Sequence, residues 1–186
     1  MNKESIIKNL ELVPHPEGGY FREVFRSGAT PMQSKGQTDK SGDVIDFPGQ
    51  GRRNFLTSIY WMLTPDSEIG WWCRNQSDHV HYHHGGATIT YQVIDEQGNY
   101  SIHRLGQDLE NGDVHQLVVR GGCWKACSME KGEFALIGEA VAPGFDFNDF
   151  EFGTTNYFQK NFPKIFEQCL PYIKDAQNKD FDSYYT

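Results

Sequence analysis

The stretch Asp78-His79-Val80-His81-Tyr82-His83-His84-Gly85-Gly86 decides how this chain is read, and Thr88-Ile89-Thr90-Tyr91-Gln92-Val93-Ile94 follows closely behind it. Four of the seven histidines fall within six residues. Read as a strand, the first run sends His79, His81 and His83 to one face and Val80, Tyr82 and His84 to the other. Three imidazoles on one strand face make a metal site, an acid/base site or the wall of a polar pocket. Strand residues four apart lie roughly 13 Å from each other, too far to share one ion at bonds of about 2 Å. At most two of the three can therefore join a single centre.

Outward from this run, strand-like segments alternate with turn signals at short intervals. Phe55–Leu63 ends at Pro65-Asp66-Ser67, and Ile69–Arg74 precedes the histidines. Tyr100–Leu105, Val114–Val119, Cys123–Cys127 and Phe134–Val141 follow, separated by Gly- and Asp-rich breaks. About eight short strands at this spacing predict an all-β sandwich, jelly roll or barrel. Before them, Ile6, Ile7 and Leu10 predict a short helix over residues 5–12, closed by Pro14-His15-Pro16-Glu17-Gly18-Gly19 and followed by a strand from Tyr20 to Phe25. Residues 27–53 are rich in Gly, Ser, Gln and Asp and read as one long surface loop. Phe158, Phe162, Ile165, Phe166, Cys169 and Leu170 predict a C-terminal helix over about 154–173, with a polar, frayed tail behind it. One domain over residues 1–186, with its barrel over about 18–152, accounts for the whole chain.

Composition narrows the partners. A net charge of −8 on 186 residues argues against a nucleic-acid surface, which needs clustered Lys and Arg. The N-terminus lacks a signal-peptide core, and no apolar stretch approaches the roughly 20 residues of a membrane span. Cys73, Cys123, Cys127 and Cys169 show no secreted-type spacing, so the expectation is a cytoplasmic protein with reduced thiols. Cys123 and Cys127 read as buried structural thiols.

Three segments resemble the cupin superfamily, in a branch of unknown function: Pro14-His15-Pro16-Glu17-Gly18-Gly19-Tyr20-Phe21-Arg22-Glu23, Val118-Val119-Arg120-Gly121-Gly122-Cys123-Trp124-Lys125-Ala126, and Val141-Ala142-Pro143-Gly144-Phe145-Asp146-Phe147-Asn148-Asp149-Phe150. The resemblance implies a double-stranded β-helix, a jelly-roll barrel with short N- and C-terminal helices, and a homodimer. Metal-binding cupins carry two His and a Glu in a first motif and a further His in a second. Laid on this chain with Gly86 closing the first motif, those positions fall on Cys73, Asn75, His79 and Lys125. Asn is a weak ligand and a protonated Lys a poor one, so the usual cupin metal site is not expected.

The resemblance also implies chemistry without metal, because cupin deoxysugar epimerases work through a His base and a Tyr acid. His79, His81 and Tyr60 are the candidate catalytic residues, with Tyr82 and Tyr91 the other tyrosines available. Arg22, Cys73, Asn75, His83, Gln116, Trp124 and Lys125 are the candidate ligand-binding residues. Arg22 suits a phosphate or carboxylate, and Trp124 suits stacking on a sugar or aromatic ring. No cofactor is expected; the alternative is a divalent metal on His79, His81 and Cys73. The reading is a small-molecule-binding cupin of isomerase or epimerase type on a sugar-like or nucleotide-linked ligand. A metal-dependent oxygenase or isomerase and a non-catalytic sensor are the alternatives.

Overall fold

Period-two alternation becomes two antiparallel sheets laid face to face in the computed structural model, which describes residues 2–28, 44–47 and 51–177. The strands are β1 (Val13–Pro14), β2 (Tyr20–Arg26), β3 (Val44–Phe47), β4 (Gly51–Asn54), β5 (Thr57–Leu63), β6 (Ile69–Asn75) and β7 (Asp78–Gly86). They continue with β8 (Ile89–Ile94), β9 (Tyr100–Leu105), β10 (Gln116–Val119), β11 (Trp124–Met129), β12 (Ala135–Ala142) and β13 (Phe150–Phe152). One sheet runs β1-β2-β5-β12-β7-β10 and the other β13-β6-β11-β8-β9. Strands consecutive in sequence, such as β5 and β6 or β6 and β7, fall in opposite sheets, as in a jelly roll.

Three apolar layers hold this together. Trp61, Leu63, Ile89, Leu105, Ala135 and Ile137 fill the space between the sheets, all at most 5% exposed. A second layer forms on the outer face of the second sheet, where Trp72 and Trp124 pack under Phe158, Cys169 and Ile173 of the C-terminal segment. The third lies under helix α1 (Lys3–Leu10), where Ile6 and Leu12 cover Met62. Asn2 caps α1, its Oδ1 accepting from the Ser5 amide at 3.0 Å.

The turn between β1 and β2 sets up the site. Gly18 (φ 102) and Gly19 (φ 71) occupy the left-handed region. A Cβ on Gly18 would stand 2.0 Å from the Ile69 carbonyl oxygen, and one on Gly19 2.5 Å from that of Met62. Only glycine lets the turn lie this close to both sheets. Trp61 Nε1 donates to the Gly18 carbonyl at 3.0 Å, and the Trp71 amide donates to the Glu17 carbonyl at 2.9 Å. The Glu17 side chain is thereby carried over the barrel mouth.

Two expectations are corrected. The expected loop over 27–53 contains an antiparallel ladder, with Val44 opposite Asn54 and Phe47 opposite Gly51; Val44, Ile45 and Phe47 are good strand formers that the surrounding polar composition masks. The rest of that expectation, over residues 29–43 and 48–50, lies outside the described residues, as does the tail beyond 177. The expected C-terminal helix is broken into α2 (Thr155–Asn161) and α3 (Phe166–Cys169). Pro163 lacks an N–H and its ring crowds the preceding turn, so α2 cannot run through it. No helix among the described residues is long and apolar enough to cross a membrane.

Candidate functional site

A cavity of about 790 Å³ opens between the sheets beside the β1–β2 turn. Its walls are largely aromatic and aliphatic, with Phe21, Ile59, Trp61, Trp71 and Phe145 among them. Its floor is charged. Glu139 stands at the middle of β12, paired in register with His81 on one side and Ile59 on the other. From the opposite sheet Lys125 arrives on β11, in register with Cys73 on β6. All five side chains point inward because the pleat of each strand directs alternate residues to the same face.

These groups form one buried cluster. His79 Nδ1 lies 2.6 Å from Glu139 Oε1 and His81 Nδ1 3.1 Å from Oε2. A carboxylate only accepts, so both Nδ1 atoms carry protons and donate them to Glu139. The Lys125 ammonium sits between two acids, 3.5 Å from Glu17 Oε2 and 4.0 Å from Glu139 Oε1. The Cys73 thiol donates to the same Glu17 oxygen at 3.2 Å. The Glu17 amide donates to His15 Nδ1 at 3.1 Å, which fixes that ring at the rim. The Tyr91 hydroxyl lies 3.4 Å from His81 Nδ1. Since that nitrogen already carries a proton, the phenol keeps its own for the cavity.

The charges follow from this geometry. Burial pushes the Glu139 carboxyl up, but Lys125 and then the two histidines outweigh it and hold the group well below its ordinary value. Glu17 is also lowered, burial being overcome chiefly by Lys125. Burial alone would lower Lys125, yet Glu139 and Glu17 raise it well above its ordinary value, so it stays an ammonium. Desolvation lowers His81 and His15 and keeps both neutral near pH 7. Desolvation followed by Glu17 raises Cys73 far up, so it is a thiol and not a thiolate. Burial raises Tyr91 likewise.

The anticipated residues are only partly brought together. His79 and His81 sit behind Glu139, one step back from the cavity, and their Nε2 atoms are buried without a hydrogen-bond partner. Cys73 and Lys125 border the cavity. Arg22 reaches the rim, where it donates to the Leu10 carbonyl at 3.2 Å and pairs with Glu11 at 3.1 Å.

The others lie elsewhere. Tyr60 is on the outward face of β5, packed beneath α1 and against His84, because residues 59 and 61 take the inward positions; the cavity tyrosine is Tyr91. His83 faces inward but lies toward the packed end, 3.1 Å from the Ala87 carbonyl. Asn75 accepts from the Ser77 amide at 2.8 Å and shapes the turn into β7. Trp124 points outward into the helix-covered layer with Arg74 stacked 4.8 Å from its ring centre. Gln116 is exposed on the edge strand β10.

Sequence reasoning missed Glu139, Glu17 and His15. Glu139 had a signal, since it is the lone charge in the apolar run Ala135-Leu136-Ile137-Gly138-Glu139-Ala140-Val141. A charge that alternation assigns to an inward position is a site candidate. The metal alternative changes with it. The group that could hold an ion is His79, His81 and Glu139, with ligand atoms within 4.8 Å of one another, and Cys73 is not part of it. The cupin quartet itself does not fit: Asn75 is occupied in a turn, Cys73 is protonated and Lys125 is cationic.

Comparison with known proteins agrees with this architecture. The profile described as Cupin superfamily (DUF985) matches residues 4–153. The uncharacterized protein YML079W of Saccharomyces cerevisiae is 37% identical over 153 residues, covering 80% of this chain and 74% of the yeast one. Among solved structures, a hypothetical protein from Leishmania major superposes with a TM-score of 0.77 at 30% identity, over 90% of this chain and 98% of the other. A Shewanella oneidensis protein gives 0.76 at 29% identity, over 93% and 98%.

Proposed function

The chain belongs to the cupin superfamily, and on that premise we propose that its barrel binds a small sugar-like molecule and moves a proton on it, as an isomerase or epimerase without a metal. The observation carrying this reading is the Lys125 ammonium, held between Glu17 and Glu139 at the base of an aromatic-walled cavity. The position that supplies a metal ligand in metal-binding cupins here supplies a fixed positive charge. Removing a proton next to a carbonyl leaves charge on the oxygen, and a preplaced ammonium in a dry site stabilises that charge as it forms. Glu17 is the base: Oε2 holds Lys125 and Cys73, which leaves Oε1 for a ligand proton. Tyr91 is the acid, its hydroxyl proton being directed to the cavity. His79 and His81 are positioning residues that fix Glu139, which in turn fixes Lys125.

The base is weak while Lys125 is bound to it. A ligand oxygen that takes a share of the ammonium relieves Glu17 and raises its basicity where the proton leaves. Acid–base assistance of this kind contributes about 10²–10⁴-fold in rate. The test is deuterium incorporation from D₂O at the carbon beside the carbonyl of aldoses and ketoses, followed by NMR. Exchange well above background, lowered at least about 100-fold in a folded Glu17→Gln variant, is the expected result. Ligand binding with no exchange across the panel would discard catalysis and leave a sensor.

A second reading, a divalent ion on His79, His81 and Glu139, is favoured by one observation: one ligand atom from each of the three lies within 4.8 Å of the others. It requires the ion to stand near the Lys125 ammonium, 4.0 Å from the same carboxylate. Repulsion at that range is what separates the two readings.

A further inference from the structure

We infer that the ligand is uncharged, so that of the two ligand classes compatible with a sugar site this barrel takes the free sugar or polyol and rejects its phosphorylated and nucleotide-linked forms. This deepens the function proposed above and rests on it.

Among the described residues lining the cavity, Glu11, Glu17, Glu23, Glu139 and Asp146 face three cations, and His15 is neutral. Every one of those cations is engaged. Lys125 lies between Glu17 and Glu139. Arg26 is bidentate to Glu23 at 2.7 and 3.0 Å, and its Nη1 donates to Asn54 Oδ1 at 3.0 Å and to the Phe145 carbonyl at 3.1 Å. Arg22 is held by Glu11 and the Leu10 carbonyl. A phosphate that drew Lys125 or Arg26 away would leave a carboxylate unpaired in a buried site, which is strongly unfavourable; at the rim it would have to compete with the exposed Glu11 for Arg22. The lining comes from the strands, the β1–β2 turn, Glu11 at the end of α1 and the Phe145-Asp146-Phe147 turn; the one-turn helix Phe147–Asp149 that starts in this last turn is already capped by the Asp146 carboxylate, which accepts from the Asn148 amide at 2.9 Å.

An uncharged hydroxy-carbonyl compound meets the opposite situation. Its hydroxyl can donate to Glu17 Oε1, and its carbonyl oxygen can accept the Lys125 donor left over from the two carboxylates. The C–H faces of a sugar ring suit the rings of Phe21, Trp61 and Trp71. The floor thus offers an acceptor on Glu17, donors on Lys125 and Tyr91 and flat apolar walls, and each cation of the lining already has a carboxylate partner.

The test uses matched pairs at low ionic strength: D-glucose against D-glucose 6-phosphate and UDP-glucose, and D-ribose against D-ribose 5-phosphate. Binding is followed by ligand-observed NMR with the whole chain. The expected result is at least about tenfold tighter binding of the uncharged member of one pair or more. In the Glu11→Gln variant, an exposed change that frees Arg22, that preference narrows by about threefold. Equal or tighter binding of a phosphorylated member overturns this inference and leaves the proposed proton-transfer site standing. No binding by any member of any pair to the folded protein overturns both.

Discussion

Two neighbouring rungs of the same barrel behave oppositely. In one, Ile137 of β12 stands beside Trp61, and Cys127 of β11 stands between Gly70 and Tyr91; all are buried, and all but Ile137 form an uncharged wall of the cavity. One inward step along the same strands, Ile137 gives way to Glu139 and Cys127 to Lys125. β12 keeps its register through both rungs, while a bulge between Lys125 and Cys127 shifts β11 against β6. From Ile137 and Cys127 to Glu139 and Lys125 an apolar wall becomes a charged cavity floor. The first rung contributes packing, and the buried ion pairs are concentrated in the second.

The comparison can be broken with one substitution in each rung. Lys125→Met leaves Glu17 and Glu139 buried without their counter-ion, and a loss of about 3–5 kcal/mol near neutral pH is expected in denaturant unfolding. That loss shrinks as the pH is lowered, because protonating the two acids removes the uncompensated charge. Ile137→Ala costs about 3 kcal/mol through the cavity it opens, and this loss is the same at every pH. Two parallel pH profiles would show that the second rung is not ionic.

The wild-type pH profile is a milder test of the same rung. His15 and His81 are lowered from 6.5 by the fold, so they bind protons on unfolding and destabilise the native state as the pH falls below about 6.5. Glu17 and Glu139 are lowered from 4.5, so their contribution is present above that value and is lost below it. On the alkaline side, Cys73 and Cys127 are raised above 9.0, the latter to about 12, so their contribution is present below 9.0 and fades as the pH rises beyond it. Lys125 adds nothing to that fade until above 10.5. A stability plateau between about 6.5 and 9, measured by chemical denaturation, is therefore expected.

Smaller effects separate the two tyrosines. Tyr91→Phe lowers proton exchange at least about tenfold with little change in stability. Tyr60→Phe, on the outward face, leaves exchange unchanged. Equal effects of the two would detach the phenol from the site.

Most of the strand pattern was legible in the sequence because short runs of strand formers alternate with turn residues, although β8 and β11 are buried along nearly their whole length and show little alternation. The short strands Val13–Pro14 and Phe150–Phe152 were not, since two or three residues cannot display a period. The site was half legible. His79, His81, Cys73 and Lys125 followed from alternation and from the family motif. Glu17 and Glu139 did not, because their meaning lies in what stands across the barrel. Glu17 is 108 residues from Lys125 in the chain, and the Gly18-Gly19 turn is what joins them. The tyrosine was misassigned for a related reason: Tyr60 and Tyr91 both sit on strands, and only the register tells inward from outward.

On the proposed function, the Lys125 ammonium and not a metal ion provides the positive charge at the base of this barrel. Metal content of tag-free protein, by elemental analysis after equilibration with zinc, manganese and ferrous iron in turn, tests it most directly. The account predicts less than about 0.2 equivalents per chain for each metal in the wild type. One retained equivalent, lost in Glu139→Gln or His81→Ala, would contradict it.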